Sequence, residues 1–297
     1  MSKSRKILLA CAAAWILLIV IVVAIFGWSR RDNLEFKPQN EFKLLTWFSI
    51  GPVDINKGVL YIVLASILTL ITMLYISKRM QQRPNRVQTA VEVLFTLMRD
   101  NITAGNMSRE MAAKWFPFIG TLFLFIWFSN LIGFVPLPTN SGEKFDLFGA
   151  HIPAFALYAA TANVSVPLVL ALIVFISFIA EGIRAKGVGG YLKSLIPAGV
   201  HGPMVLLIFP LEIASTAMRL LSLSVRLFAN MLAGHLIILF MSGGLAVLLG
   251  IEGLGVITLP AGLVLFLFEV GLVATLQAFI FATLSAIYIG GAVAESH

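Results

Sequence analysis

Two arginines, Arg219 and Arg226, are the only Lys or Arg in the 104 residues after Lys193, and both stand inside a long apolar stretch. A guanidinium stays charged and is costly to place in hydrocarbon, so each must face a protein interior, a partner or an aqueous cavity. Glu212, Arg219 and Arg226 follow one another at intervals of seven, close to two helical turns, and form one stripe. Asn230, four residues beyond Arg226, extends that face. His235 lies nine residues beyond Arg226, about half a turn round and about 13 Å along the axis. Arg226 reads either as a fixed positive charge that meets a mobile carboxylate or as a cation that pairs internally or snorkels. Arg219 and Glu212 divide between an internal pair and members of a charged path. His235 can relay protons near neutral pH or serve as a satisfied packing residue. Asn230 fits a path or a simple interhelical hydrogen bond.

Glu269 and Gln277 add polar groups to the last apolar stretch. A carboxyl in apolar surroundings suits reversible protonation; the plainer role for Glu269 is to partner an arginine. Gln277 can donate and accept hydrogen bonds together, in structure or in function. Asn130, near Gly133 and Pro136, fits a cap or glue between helices. Glu252 falls in a turn. There is no GxxxxGK[ST] loop, HExxH or GxGxxG in the sequence, and no helix pattern offers a tight metal cluster. No nucleotide hydrolysis, cofactor or metal is implied.

These residues sit in a chain of 297 residues that is 59% hydrophobic and 12% charged, with a mean hydropathy of +0.97. Soluble globular chains carry about 25% charge. Apolar runs that reach roughly 20 residues favour membrane-crossing helices over the short alternating strands of a β-barrel. The predicted fold is an all-α polytopic membrane protein with about six membrane-embedded helical elements, the last two long and strongly tilted. The net charge of +7 lies mainly in the N-terminal tail and loops, where it reflects topology and lipid headgroups rather than nucleic acid. The single cysteine, Cys11, excludes an intramolecular disulfide.

Four regions are expected. Residues 1–57 hold a first span, Ile7 to Trp28, which is too long for a usual signal-peptide core, and an exposed mixed-charge segment from Ser29. Residues 58–200 hold a helical membrane region. Within it, Gly58 to Ile76 is a span and Val87 to Met98 a short amphipathic interfacial helix with Glu92, Arg99 and Asp100 on or near its polar side. Trp115 to Val135 is the next span, followed by a polar turn with Glu143, Lys144 and Asp146. The run from Ile152 to Ala180, broken by the patch Thr161 to Ser165, suits a re-entrant or broken element. Glu181, Arg184, Lys186 and Lys193 mark a loop. Residues 201–292 form a long tilted hairpin that carries the polar stripe, and 293–297 a polar tail.

The Lys78 to Lys114 segment carries seven basic and three acidic residues, against one and two in Thr139 to Ile152. With six crossings this puts both chain ends and the basic loops on the cytoplasmic side, although Ser29 to Lys57, with five basic and four acidic residues, is less one-sided.

The segment Ser222-Leu-Ser-Val-Arg-Leu-Phe-Ala-Asn-Met-Leu-Ala-Gly-His235 closely resembles the signature SL-x-x-RLF-[GA]-N-M-x-A-G of subunit a of rotary F-type ATP synthases. Leu276-Gln-Ala-Phe-Ile-Phe281 resembles the family's second signature, LQAFIF, and Asn130-Leu-Ile-Gly-Phe-Val-Pro136 its NLxGxxP element. The likeness runs from about Val87 to Ile289. It implies a proton-translocating stator subunit, not catalytic alone, that forms two half-channels against the rotating c-ring. The peripheral-stalk b subunits and the F1 catalytic sector are its further partners, in a bacterial plasma membrane or, alternatively, an organellar one.

Through the resemblance, Arg226 matches the family's essential arginine, Asn230 and Gln277 its polar neighbours, and Glu212 a carboxylate on the cytoplasmic-side path. His235 and Glu269 match an acid–imidazole pair near the opposite half-channel; Arg219 and Asn130 remain possible structural supports. Two positions depart. The family's acidic or His position lies seven residues before the glutamine, where this chain has Val270, and Glu269 lies eight before. On an ideal helix one residue turns a side chain by about 100°, so either the helix is locally distorted or Glu269 enters from another angle. Leu220 stands where relatives often carry proline after the residue matching Arg219, which predicts a smoother helix. A self-contained ion-coupled transporter would use similar buried ions, but it often shows an internal repeat that this sequence lacks.

Overall fold

The computed structural model describes residues 44, 46–51, 53–78, 86–147, 150–196, 202–246 and 254–294, with isolated positions (5, 13–17, 20 and 21) nearer the start. The expected first span over Ile7 to Trp28, Cys11 and Glu252 lie outside or mostly outside the described residues. The rest is a polytopic membrane protein of the all-α class, with two short β-hairpins outside its long helices. Five helices among the described residues are long and apolar enough to cross a membrane: Lys57–Lys78, Arg109–Ile132, Ser165–Ser194, Met204–Ser242 and Thr258–Val293.

A hairpin of β1 (Thr46–Ile50) and β2 (Val53–Asn56) leads into α1 (Lys57–Lys78). Gly51, at φ 62°, makes the reversal, a conformation that costs glycine little. Lys57 closes the segment expected to be exposed, yet it is 3% exposed, with Nζ 5.0 Å from the centroid of the Tyr158 ring. The aromatic face accounts for that placement, because it attracts a cation while covering its stem.

The amphipathic segment is α2 (Arg86–Thr96), which passes into a π-helical stretch, Leu97–Ala104. The Thr103 hydroxyl donates to the Met98 carbonyl at 2.6 Å, and Asn106 Nδ2 to the Ile102 carbonyl at 2.7 Å. Helix α3 (Arg109–Ile132) starts six residues before the expected span and carries Pro117 inside. Glu143, Lys144 and Asp146, expected in a turn, lie in β3 (Leu137–Leu147), which pairs antiparallel with β4 (Ala150–Ala156). Pairing gives the backbone of this apolar-flanked segment its hydrogen bonds. The expected break before the fourth helix is therefore a strand followed by a 3₁₀ turn, Ala160–Ala162.

Helix α4 (Ser165–Ser194) includes the charges Glu181, Arg184, Lys186 and Lys193, which were expected in a loop. The helix is broken at Gly187 (φ 72°, ψ 166°) and resumes, bringing Tyr191 back onto Gly182. A β-carbon at Gly182 would stand 2.5 Å from the Tyr191 ring, so only a glycine leaves room for that ring. Lys114 of α3 pairs with Glu181 of α4, which Arg184 also approaches at 3.8 Å.

The remaining elements are α5 (Met204–Leu239), a π-turn at Phe240–Gly244, α6 (Gly255–Phe268), a π-turn at Glu269–Val273, and α7 (Ala274–Val293). Contacts divide the chain into two compact units, one of Met1–Leu44 with Ala233–Gly271, the other of Leu45–Leu232 with Leu272–His297. In the larger unit α7 packs against both α3 and α4. Ala274, Ala278, Ala282 and Ala286, at the i, i+4 spacing of one face, are fully buried, and such small residues let helices approach closely. In the smaller unit α6 lies against the π-turn Phe240–Gly244. A β-carbon at Gly262 would stand 3.0 Å from the backbone of Met241 and Ser242.

Candidate functional site

Within the larger unit, α5 carries Glu212, Arg219, Arg226 and Asn230. Its buried side chains Thr216, Leu223, Leu227 and Met231 recur at seven- and four-residue steps, with Ser224 beside them, the seam of one helical face. The charged stripe lies off that seam. Arg219 Nη2 sits 3.6 Å from Glu212 Oε1, and its guanidinium carbon lies 5.8 Å from the centroid of the Tyr288 ring. Glu212 and Arg219 line a cavity of about 570 Å³ with Thr216, Tyr191, Tyr288 and Lys186. Lys186 Nζ donates to the Ala294 carbonyl at 2.7 Å, which ties the broken end of α4 to the end of α7. Two aromatic rings, a carboxylate and two cations in a cavity of this size can admit water and hold charge at a helix surface.

Arg226 is exposed and shares the open surface of α5 with Met218, Leu221 and Val225. Among the described residues no ion pair or hydrogen bond holds its guanidinium. Asn230 is half-buried, and Gln277 of α7 is buried at 6% exposure. Asn130 of α3 is fully buried; its Nδ2 donates to the Ala274 carbonyl at 3.1 Å and its Oδ1 accepts from the Thr161 hydroxyl at 2.7 Å. Trp127, one turn earlier, donates from Nε1 to Thr275 Oγ1 at 3.0 Å.

In the smaller unit, the Glu269 carboxyl lies against Gly234, the residue before His235. A β-carbon at Gly234 would stand 2.5 Å from Glu269 Oε2 and 2.9 Å from Oε1. Oε2 is buried and has no hydrogen-bond partner among the described residues, and His235 is itself 3% exposed. Glu269 opens the π-turn Glu269–Val273, so the helix is locally distorted where the one-residue offset fell. An i→i+5 turn takes in one residue more than an α-turn. Eight residues across it therefore advance the helix about as far as seven do without it.

Sequence reasoning missed Tyr191, Tyr288, Thr161 and Trp127. Tyr288 had a signal, because it lies eleven residues beyond Gln277, about three helical turns. Tyr191 had none, since its return depends on the break at Gly187. No group of three or more His, Cys, Asp or Glu that could hold a metal occurs among the described residues.

Comparison with known proteins places these features in a family. A model of the family described as ATP synthase A chain matches residues 59–290. The chain is 32% identical to ATP synthase subunit a of Frankia alni over 276 residues, 89% of this chain and 88% of that one. It is 35% identical to ATP synthase subunit a of Rubrobacter xylanophilus over 242 residues, 80% of this chain and 83% of that one. A third relative, from Chlorobium phaeobacteroides, is 31% identical over 274 residues, 90% of this chain and 74% of its own. With the match spanning α1 to α7, the chain belongs to the ATP synthase A chain family.

Proposed function

We propose that this chain is the proton-translocating stator subunit of an ATP synthase membrane sector, non-catalytic alone, with Arg226 as the charge that a rotating ring of carboxylate-bearing subunits passes. The observation that carries the reading is the setting of Arg226, an exposed arginine within a largely apolar helix with no ion pair or hydrogen bond to a described residue. Lipid is a poor neighbour for such a group, whereas a partner's carboxylate is a good one.

The mechanism follows from charge. A ring carboxylate opposite Arg226 stays ionised because the cation stabilises it. Rotated away into lipid it must take up a proton, since an unpaired ion there is costly. Glu212, beside Arg219 in the cavity bordered by Tyr191 and Tyr288, lines the cytoplasmic-side half-channel. His235 and Glu269 serve the opposite one, with Asn230 and Gln277 as polar neighbours of Arg226. Arg226 separates the two routes, so protons cross only with ring movement. Each charge moved through the potential is worth about 2.3 kcal/mol per 100 mV. Helices of 36 residues, such as α5, are about 54 Å long and must tilt or bend to stay within a bilayer. The complex includes the c-ring, the peripheral-stalk b subunits and the F1 sector, in a bacterial plasma membrane with the basic Lys78 to Lys114 segment on the cytoplasmic side.

The test is Arg226→Ala, with ATP-driven proton pumping measured in vesicles that hold the assembled complex. Lost pumping with assembly intact is the expected result. Near-normal pumping in assembled complexes would sink the role of Arg226.

A further inference from the structure

Away from the charged stripe, the turn into α3 carries another pocket. It is a cavity of about 480 Å³ between the π-helical stretch Leu97–Ala104 and the first turns of α3, with Phe95, Arg99, Asp100, Arg109, Ala112 and Phe116 in its lining. Its walls are held from inside. Met98, Ile102 and Thr103 are buried, and Asn106 Nδ2 donates to the Ile102 carbonyl at 2.7 Å. A β-carbon at Gly105 would stand 2.7 Å from the Asn101 carbonyl oxygen, so glycine lets the chain turn tightly from one wall into the other. Phe95 and Phe116 join the two walls edge to face, with ring centroids 5.2 Å apart.

The arginines are exposed at the rim. Arg99 stands 5.9 Å from the centroid of the Phe95 ring. Among the described residues the side chains of Arg99, Asp100 and Arg109 have no ion pair or hydrogen bond. Arg109 begins the membrane-crossing segment Arg109–Ile132, and Phe116, seven residues on, lies about 10 Å further along the axis. The pocket therefore runs from a charged rim at the water boundary to an aromatic floor at the depth of the first acyl carbons. On α2, Val87 and Val93 are 64% and 65% exposed, as suits a helix lying in the interface with apolar side chains in lipid.

We propose that this pocket binds an anionic glycerophospholipid by its headgroup, with Arg99 and Arg109 on the phosphodiester oxygens and Phe95 and Phe116 against the glycerol and first acyl carbons. Guanidinium groups match phosphate oxygens in pairs, and basic pockets beside membrane helices suit such headgroups. Two cations and one carboxylate leave one net positive charge. That complements a singly charged phosphodiester and disfavours the added ammonium of a choline headgroup. Asp100 accepts from headgroup hydroxyls, which phosphatidylglycerol supplies. An acidic peptide could meet the arginines, but its backbone would find no hydrogen-bond partners at the depth of the floor.

The test uses the full-length chain in detergent micelles at about 0.15 M salt, titrated with lipid while the thermal midpoint is followed. A ligand of the folded state raises that midpoint with its concentration. Phosphatidylglycerol is expected to raise it, whereas phosphatidylcholine, glycerol phosphate and oligoglutamate are not. Arg99→Gln with Arg109→Gln is expected to weaken the apparent affinity for phosphatidylglycerol about tenfold or more. Arg86→Gln with Lys193→Gln removes two exposed cations outside the pocket and is expected to leave the affinity within about twofold. Ala113→Trp fills the pocket with both arginines kept, and is expected to weaken binding as well. Equal losses in the two double variants, or an equal rise with phosphatidylcholine, would overturn the proposal. So would an equal rise with glycerol phosphate, which would make this a site for free phosphate, or with oligoglutamate, which would make it a peptide site. None of these readouts involves proton flow, so their failure is distinct from failure of the reading of Arg226.

Discussion

The carboxyl of Glu269 occupies the space a side chain at Gly234 would need, with Oε2 2.5 Å and the carboxyl carbon 2.6 Å from the position of a β-carbon there. A flexible side-chain end can move aside; a backbone cannot. Gly234→Ala is therefore expected to assemble normally while displacing the carboxyl and lowering ATP-driven pumping. Shortening the acid in the same chain, Glu269→Asp, should restore part of the loss. Pumping by the single and double variants checks this, and equal rates in both would count against the contact.

Gly262 makes the opposite contrast. A methyl group there meets the backbone of Met241 and Ser242 at 3.0 Å. Gly262→Ala is expected to cost about 1–3 kcal/mol, the usual range for overpacking, and to lower the thermal midpoint of the detergent-solubilised protein. An unchanged midpoint would mean that the two segments separate easily.

Asn130 supplies a testable bond between helices. Asn130→Leu removes the donor to Ala274 and strands the Thr161 hydroxyl. Hydrogen bonds between membrane helices are worth about 0.6–2 kcal/mol each, and a loss of that order is expected in thermal unfolding. Restoring stability with Thr161→Val in the same chain would trace the loss to the stranded hydroxyl.

Glu181 is 5% exposed, Lys114 half-exposed, and the two are paired. Lys114→Met leaves the carboxylate with Arg184 at 3.8 Å. Breaking a fully buried pair costs about 3–5 kcal/mol, and the solvent reaching Lys114 reduces this to about 1–3 kcal/mol. Lys114→Met with Glu181→Met should be more stable than the single variant, as read by unfolding midpoints.

The Arg219–Glu212 pair behaves differently, since Arg219 is 43% exposed and the two atoms are 3.6 Å apart. Exposed pairs contribute about 0–1 kcal/mol, so Arg219→Gln is expected to leave the thermal midpoint almost unchanged. A large fall would show that the cation is part of the packing rather than of the cavity's charge.

What the sequence determined by itself was the membrane class and the charged stripe. Uninterrupted apolar runs make helices obligatory in lipid, and the seven-residue spacing of Glu212, Arg219 and Arg226 survives any packing because it depends only on the helical repeat. The tertiary structure decided everything that required two distant segments to meet. Lys144 and Asp146 lie in a strand because Pro153 and His151 pair with them, with Glu143 at the irregularity just before. Arg184 to Lys193 forms two helical pieces either side of Gly187, with Tyr191 packed on Gly182, and Lys57 is covered beside the Tyr158 ring. The register of Glu269 was likewise invisible locally. The residues from Glu269 to Val273 carry no π-turn signal of their own; contacts with Gly234 at one end, and with Trp127 and Asn130 just past the other, accompany the extra residue. Helical periodicity is a property of the chain alone, whereas which distant segments meet is a property of the fold.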